Sequence, residues 1–234
     1  MSFNIPSFKK SLKINAVLFD LDGTLLDTAP DLAAALNAVL LSQRAQPLPL
    51  TNICPTISEG ATGLLKLGLK IKDKDAKFPD LRKQFIKYYN EHICELTQLF
   101  PHIDTVIHYL LYHNLSWGIV TNKPTALTTK LINHFPLLKT AKCIISGDTL
   151  KYSKPHPQPL LHACKCIACI PKNTVYIGDA KQDIEAANAA GMYSLVALYG
   201  YIPSIKEAKS WKANDMIDTP LAIIDWLKLQ NITP

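Results

Sequence analysis

Short hydrophobic runs alternate with amphipathic segments over much of the chain. Each run has the length and composition of a buried strand, and each amphipathic segment repeats its apolar residues at helical spacing. The runs are INAVLF (14–19), LSWGIVTN (115–122), AKCIIS (141–146), TVYIGD (174–179) and MYSLVAL (192–198), and helical patterns lie at 103–111, 123–135, 157–168 and 181–190. This alternation predicts an α/β fold, a parallel sheet with helices on both faces.

A different pattern, helical throughout, fills the segment from Pro30 to about Leu99. One helix is predicted over 30–42 and ends before the two prolines of QPLPL (46–50). A longer one is predicted over 79–95, with Leu81, Phe85, Tyr88 and Tyr89 on one apolar stripe. Between them ISEGATGLLKLGLK (57–70) predicts a loop that leads into a short helix. We therefore expect a core of residues 1–28 and 100–234, with residues 29–99 inserted as a smaller α-helical domain.

Composition and charge narrow the classes of partner. The chain has 234 residues, of which 48% are hydrophobic, and a formal net charge of +6. It lacks the dense Lys/Arg block with interleaved aromatic residues that is typical of nucleic-acid binding, so no nucleic-acid partner is expected. No hydrophobic stretch reaches the length of a membrane span and the N-terminal segment has no signal-like apolar region, which predicts a cytoplasmic protein without membrane contact.

Three of the six cysteines, with a histidine, form the segment HACKCIAC (162–169). A zinc site is one interpretation, but Cys164, Cys166 and Cys169 do not share one face of a helix and do not form paired CxxC motifs. Packing of reduced thiols as small apolar side chains is the alternative that the spacing favours.

Polar residues follow four of the predicted strands and loops. They occur in FDLDGT (19–24), VTN (120–122), SKPHP (153–157) and IGDAKQD (177–183), and open α/β sheets bind their ligands at this carboxyl edge. Asp20 and Asp22 would repel each other unless a cation neutralises them, and Mg²⁺ prefers such oxygen ligands. Gly23 and Thr24 open a turn whose backbone N–H groups are expected to face an anion.

This combination of carboxylates, a lysine, a divalent cation and an anion-binding turn suits phosphoryl transfer through an aspartyl-phosphate. A carboxylate nucleophile divides one difficult displacement into two easier steps, and a metal with a lysine stabilises the charge on the phosphoryl oxygens. A second aspartate serves as the acid for the leaving oxygen and then as the base for water.

The order DxDGT, a strand ending in TN, SKPxP and GDxxxD resembles the haloacid dehalogenase-like (HAD) phosphatases over essentially the whole chain. The resemblance implies a Rossmann-like core with an α-helical cap, Mg²⁺ as cofactor and a small phosphorylated metabolite as substrate. It also implies that Ala180 replaces a usual polar residue, which would weaken a supporting contact rather than remove a metal ligand. The roles that it implies are Asp20 as nucleophile, Asp22 as general acid/base, Thr121 and Asn122 with Gly23 and Thr24 as phosphate ligands, Lys154 as the neutralising cation, and Asp20, Asp22 (through its backbone carbonyl), Asp179 and Asp183 around the metal.

Three further polar residues have simpler interpretations. Asp27 fits a helix cap, Lys123 fits an exposed helix-start lysine near the phosphate, and His156 fits a loop between prolines. Asp22 and Asp183 could each be explained by turn or helix-start chemistry alone, but the four motifs in this order favour the catalytic interpretation.

Within the family, Asp22 favours phosphate esters over halides, because a halide leaves without a proton. The helical insert resembles the cap of the phosphoglycolate phosphatase-like subgroup, which implies that Ser58, Glu59, Gly60 and Thr62 contact the substrate. Three stretches, SWGIVTNKP, SKPHPQPLLHACK and YGYI with WKANDMIDTPLAI, are similar to bacterial N-acetylmuramic acid 6-phosphate phosphatases. The substrate is thus expected to be 2-phosphoglycolate or that sugar acid phosphate, for a monomer or homodimer; another sugar-phosphate phosphatase, a phosphomutase and a phosphate-binding module without turnover remain alternatives.

Overall fold

A parallel six-stranded sheet forms the centre of the molecule in the computed structural model, which describes residues 13–231. The strands are β1 (Ala16–Phe19), β2 (Leu26–Asp27), β3 (Gln98–Leu99), β4 (Ser116–Val120), β5 (Ile144–Ile145), β6 (Thr174–Gly178), β7 (Tyr193–Ala197) and β8 (Asp215–Ile217). Their order in the large sheet is β5-β4-β1-β6-β7-β8, and every neighbouring pair is parallel. Strand β1 is therefore central, which explains why its side chains form an uninterrupted hydrophobic run.

Helices cover both faces of this sheet, as predicted. They are α1 (Ala29–Ser42), α2 (Leu50–Ile53), α3 (Gly60–Leu69), α4 (Phe78–Glu91), α5 (Ile103–Tyr112), α6 (Thr125–Ile132), α7 (Gln158–Cys166), α8 (Lys181–Ala190), α9 (Ile205–Ser210) and α10 (Leu221–Asn231), with 3₁₀ turns at Cys54–Glu59, Pro136–Thr140 and Pro171–Asn173. Alternate residues of β1 point to opposite faces: Val17 and Phe19 join one buried cluster, and Ala16 and Leu18 join another with α7 and α8. No helix among residues 13–231 is long and apolar enough to cross a membrane.

The helical block α1–α4 leaves the core after β2 and returns through β3. These two short strands pair antiparallel, with Leu26 opposite Leu99 and Asp27 opposite Gln98. The prediction that residues 30–99 contain no strand is thus wrong at β3, whose two residues are too few to produce a detectable alternation. The division into residues 29–99 and the rest stays a prediction; residues 1–12 and 232–234 of it lie outside the described residues.

Two helix boundaries differ from the predicted ones for local reasons. Helix α4 ends at Glu91 rather than near 95, because the following segment binds the carboxylate of Asp31, which accepts from the N–H groups of Leu96 and Thr97 at 2.9 and 3.0 Å. Helix α6 begins at Thr125 rather than at Lys123. A residue that precedes proline is disfavoured in the helical conformation, so Pro124 keeps Lys123 out of the helix.

Candidate active site

The carboxyl ends of β1, β4 and β6 lie side by side, and the predicted residues follow them directly. Phe19 is in register with Ile119 on one side and with Ile177 on the other. Asp20 is therefore level with Val120 and Gly178, and Thr121 and Asp179 are the residues that follow these two. The sheet register brings three separate sequence motifs to one place.

Asp20, Asp179 and Asp183 form a buried group of acids, with one carboxylate oxygen of each lying within 4.8 Å of the others. Burial raises the pKa of Asp20 to about 7, against the opposing effect of the Lys154 charge. Burial also raises the pKa of Asp179 well above its usual range, and the neighbouring Asp20 and Asp183 charges add to this shift. Oδ1 of Asp20 is buried and has no hydrogen-bond partner among the described residues.

These acids fit a hard divalent cation. The donors are buried carboxylate oxygens that lie close together, and a positive charge would relieve their mutual repulsion. Asp179 is held for such a role by two hydrogen bonds, from the hydroxyl of Thr24 to Oδ1 at 3.0 Å and from the N–H of Tyr201 to Oδ2 at 2.9 Å. Oδ2 of Asp183 accepts from the N–H of Ala180 at 3.0 Å, so the backbone of Ala180 makes a contact that needs no polar side chain.

The ammonium of Lys154 links the acids to the loop after β5. Its Nζ donates to Asp183 Oδ1 at 2.6 Å and lies 2.9 Å from Asp20 Oδ1, although the latter contact lacks the angle of a hydrogen bond. Burial alone would lower the pKa of Lys154, but the charges of Asp183 and Asp20 outweigh it and the net shift is upward. Both polar atoms of the Asn122 side chain bind the Lys154 backbone, at 2.9 and 3.0 Å. Asn122 therefore positions the lysine, a task that the predicted phosphate-binding role did not include.

Asp22 lies apart from the acidic group and pairs with Lys123. The Lys123 Nζ is 2.9 and 3.2 Å from the two carboxylate oxygens of Asp22 and 4.6 Å from the centre of the Tyr89 ring. Burial opposes a charge on Lys123, yet Asp22 and Tyr89 raise the pKa of the lysine above its usual value. The Asp22 side chain is thus outside the metal-ligating group, which leaves only its backbone carbonyl for the predicted contact. Lys123 is a buried member of the site, not an exposed lysine.

The turn after Asp22 does not offer its N–H groups in the way the sequence suggested. The N–H of Gly23 donates to the carbonyl of Leu26 at 2.9 Å, and that of Thr24 donates to the carbonyl of Leu21 at 3.4 Å. The prediction that these two amides face a phosphate is therefore wrong, because the turn consumes them. Gly23 is required for another reason: at φ +81° it has a left-handed backbone, and a Cβ there would lie 2.1 Å from Oδ2 of Asp179.

A cavity of about 300 Å³ opens above the sheet edge between core and helical block. Its wall contains Asp20, Asp22, Thr121 and Asn122 from the core and Ser58, Glu59, Gly60 and Thr62 from the segment that is predicted to contact the substrate. The prediction of a loop is wrong for this segment: Ser58 and Glu59 belong to a 3₁₀ turn, and Gly60 and Thr62 belong to the first turn of α3. The hydroxyl of Ser58 reaches Asp179 Oδ2 at 3.4 Å, and its carbonyl accepts from the side chain of Gln182 at 3.1 Å. The segment Ser58–Thr62 and the acidic group therefore lie next to each other at the same cavity.

Several residues of the site were not identified from the sequence. Arg82 and Tyr89 of α4 line the cavity, although the pattern assigned Tyr89 only to an apolar stripe. Asp27 does not cap α1; its Oδ1 accepts from the hydroxyl of Tyr201 at 2.7 Å. The contact between Asp27 and Tyr201 leaves no local signal, because the two residues are far apart in the sequence. Lys123, in contrast, lies two residues after Thr121, and this position indicates that it is near the site.

Of the three clustered cysteines, Cys164 and Cys169 pack against a buried hydrophobic cluster and Cys166 does not. Cys164 is buried, Cys166 is exposed, and the sulfur atoms of Cys164 and Cys169 approach the Thr174 hydroxyl at 3.6 and 3.2 Å. Burial raises the pKa of Cys164 to about 12, which keeps its thiol protonated. Among residues 13–231 the only group of potential metal ligands is the acidic one, so these cysteines do not form a second.

Comparison with known proteins agrees with the motifs. A family model described as haloacid dehalogenase-like hydrolase matches residues 17–197. A phosphoglycolate phosphatase of Xylella fastidiosa is 40% identical over 207 residues, covering 87% of this chain and 89% of that protein. An N-acetylmuramic acid 6-phosphate phosphatase of Pseudomonas aeruginosa is 31% identical over 218 residues, covering 93% of this chain and 96% of that protein.

Solved structures lead to the same family. A crystal structure described as a predicted phosphoglycolate phosphatase from Haemophilus somnus superimposes with a TM-score of 0.82 at 27% identity, covering 92% of this chain and 98% of that chain. The expected Rossmann-like fold and the resemblance stated from the motifs are confirmed. The chain belongs to the haloacid dehalogenase-like hydrolase family.

Proposed function

We propose that this protein is a Mg²⁺-dependent phosphatase that hydrolyses a small phosphate monoester through a phosphorylated Asp20. Its similarity to phosphatases of the family supports the enzyme class. The observation that carries the mechanism is the environment of Asp20: a buried carboxylate at the end of the central strand, with two further acids, the Lys154 ammonium and the cavity around it.

In the first step a carboxylate oxygen of Asp20 attacks phosphorus while the bond from phosphorus to the leaving oxygen breaks. Asp22 lines the same cavity and gives its proton to that oxygen. In the second step Asp22 takes a proton from water as the water oxygen attacks phosphorus, and the bond to Asp20 breaks to release inorganic phosphate. Lys123 holds the Asp22 carboxylate in place through their ion pair.

The remaining residues stabilise charge. Thr121 and the Lys154 ammonium would bind the phosphoryl oxygens, with Asn122 keeping the Lys154 backbone in position. Asp20, Asp179 and the Asp22 carbonyl would hold Mg²⁺, with Asp183 in support. That cation supplies neutralisation of the phosphate charge and of the buried acids.

The names of the relatives suggest two substrates, 2-phosphoglycolate and N-acetylmuramic acid 6-phosphate. Both are phosphate monoesters of acids, and the segment from Ser58 to Thr62, which lines the cavity, would contact the leaving group of either. A cytoplasmic location, a monomeric or dimeric state and the absence of nucleic-acid and membrane partners belong to the same proposal.

The test is phosphate release with Mg²⁺ from both esters and from p-nitrophenyl phosphate, for the wild type and Asp20→Asn. Asp225→Asn is the matched control, because it makes the same chemical change on an exposed residue of α10. We expect Asp20→Asn to abolish turnover and Asp225→Asn to keep it. Radiolabelled phosphate attached to the protein and released by hydroxylamine should appear only when Asp20 is present. Full activity of a folded Asp20→Asn would exclude the aspartyl-phosphate mechanism.

A further inference from the structure

One face of helix α4 forms a wall of the cavity. Arg82, Phe85, Ile86 and Tyr89 all line it, and their spacing of three, four and seven residues places them on the same side of a helix. Phe85 and Tyr89 are buried, whereas Arg82 is exposed. The wall thus offers, in order from the exposed to the buried end, a cation, an apolar surface and a tyrosine.

Arg82 differs from the other cations near the site because it has no acidic partner. Lys123 pairs with Asp22, and Lys154 pairs with Asp20 and Asp183. Within residues 13–231, Arg82 has no carboxylate within 4.0 Å and no side-chain hydrogen bond. A guanidinium that faces a cavity with its hydrogen-bonding capacity unused is suited to a planar anion such as a carboxylate.

The position of Arg82 sets where that anion must be. The Tyr89 ring lies over Lys123, which contacts Asp22, so Tyr89 marks the catalytic end of the wall. Arg82 is seven residues earlier, which corresponds to roughly 10 Å along the helix axis. Phe85 and Ile86, which lie between them on the wall, are apolar and would contact the carbon skeleton of a leaving group. The cavity wall contains two further apolar residues, Leu32 and Leu127.

We propose that Arg82 is a specificity residue that binds a carboxylate at the far end of the leaving group, separated from the phosphate by a body of about the size of a sugar ring. This inference rests on the proposed phosphatase function. It distinguishes between the two substrates: in 2-phosphoglycolate the carboxylate is bonded to the carbon that carries the phosphate, so it lies at the catalytic end. In N-acetylmuramic acid 6-phosphate the carboxylate belongs to a lactyl group on the other side of the ring.

The experiment uses two esters that differ only in that lactyl group, N-acetylmuramic acid 6-phosphate and N-acetylglucosamine 6-phosphate. The measured quantity is the kcat/KM for N-acetylmuramic acid 6-phosphate divided by that for N-acetylglucosamine 6-phosphate. An effect of a variant on the chemical step is common to both esters and cancels in this ratio. The wild type should prefer the acid. Arg82→Gln should lower the ratio ten- to a hundredfold, the range for loss of a charge-assisted hydrogen bond, and Arg82→Lys should lower it less.

Lys83→Gln is the matched control, because Lys83 is the adjacent exposed cation of α4 and does not line the cavity. It removes the same charge and should leave the ratio at the wild-type value. Equal kcat/KM values of the wild type for both esters, an unchanged ratio in Arg82→Gln, or an equal fall in Lys83→Gln would each overturn the assignment.

Glu59, the other charged cavity residue without an ion pair among the described residues, provides one more check. If Arg82 served only to pair with Glu59, Arg82→Gln and Glu59→Gln would change both esters equally and the ratio would stay constant, which overturns the proposal. Turnover of p-nitrophenyl phosphate by the wild type but not by Asp20→Asn separates this failure from failure of the phosphatase function itself.

Discussion

Gly200 offers a sharp test of how the acidic group is supported. It follows β7, and a Cβ built there would lie 2.2 Å from the Gly23 carbonyl oxygen and 2.4 Å from the Asp179 Cβ. Carbon atoms in contact are normally separated by about 3.5–4.0 Å. Gly200→Ala would therefore push the turn after β1 and Asp179 apart by on the order of 1 Å.

The size of the effect follows from what these neighbours do. Overpacking a well-filled interior typically costs about 1–3 kcal/mol, and each kcal/mol lowers the melting temperature of a chain of this length by about 2–4 °C. The displacement would also distort the hydrogen bonds that Asp179 accepts from Thr24 and Tyr201. Loss of contacts that orient a metal ligand typically lowers metal affinity about 10- to 100-fold, so we expect Mg²⁺ binding to weaken by that factor.

The assay combines thermal unfolding in EDTA with calorimetric titration of Mg²⁺. Gly191→Ala is the control: Gly191 ends α8 at φ +70°, and a Cβ there has no atom within 4 Å. This variant should lose about 1 kcal/mol from backbone strain while its Mg²⁺ affinity stays at the wild-type value. Wild-type melting temperature and Mg²⁺ affinity in Gly200→Ala would refute the steric reasoning.

Three further variants probe the cavity. Burial raises the pKa of Asp20 to about 7 in the metal-free protein, although the Lys154 charge opposes this shift. Between pH 3.8 and about 7 the folded state therefore keeps a proton that the unfolded chain releases, so the free energy of unfolding falls as the pH rises through this range. Asp20→Asn should accordingly raise the melting temperature in EDTA by several degrees at pH 8 and by little at pH 4; equal shifts would contradict this. Tyr89→Phe removes a buried hydroxyl that has no hydrogen-bond partner among the described residues, while it keeps the ring over Lys123. Chemical denaturation should show a change within about 1 kcal/mol, and a loss beyond about 2 kcal/mol would indicate a partner for that hydroxyl. Gly60 has φ 63° and ψ −163°, a conformation that is essentially restricted to glycine, so Gly60→Ala should lower the free energy of unfolding by about 1–3 kcal/mol although no atom opposes its Cβ. An unchanged denaturation midpoint would show that the loop adopts another conformation.

The central part of the fold could be predicted because burial leaves a direct trace in sequence. Strands β1 and β6 are covered on both faces, so their residues are almost all hydrophobic. The acids that follow such runs must then meet at one sheet edge, which is why Asp20 and Asp179 were identified together. Strands β3 and β8, of two and three residues, show no detectable period and could not be predicted, whereas the two residues of β5 lie within the hydrophobic run AKCIIS.

The sequence predictions were wrong or incomplete in two situations. In one, a contact joins residues that are distant in the sequence; in the other, backbone N–H groups that were assigned to a ligand form hydrogen bonds within the protein. The sequence pattern predicts the turn at Gly23 but not that the N–H groups of Gly23 and Thr24 donate to the carbonyls of Leu26 and Leu21. It placed Tyr89 on an apolar stripe, because helical periodicity does not distinguish a wall of a cavity from a packed interior. Arg82 lies beside that stripe, and its sequence pattern is that of an ordinary exposed helix residue. Only the structure shows that it lines the cavity.

Helix α8 explains why the segment Ser58–Thr62 and the acidic group border one cavity. Its first turn carries Asp183, whose Oδ1 holds Lys154, and also Gln182, whose side chain donates to the Ser58 carbonyl. Ser58 in turn reaches Asp179, which directly follows β6 and precedes the same helix. A shift of this helix start would therefore move the acidic group and the segment Ser58–Thr62 together. These two parts of the cavity wall are thus supported by one short turn, although they come from segments about 120 residues apart in the sequence.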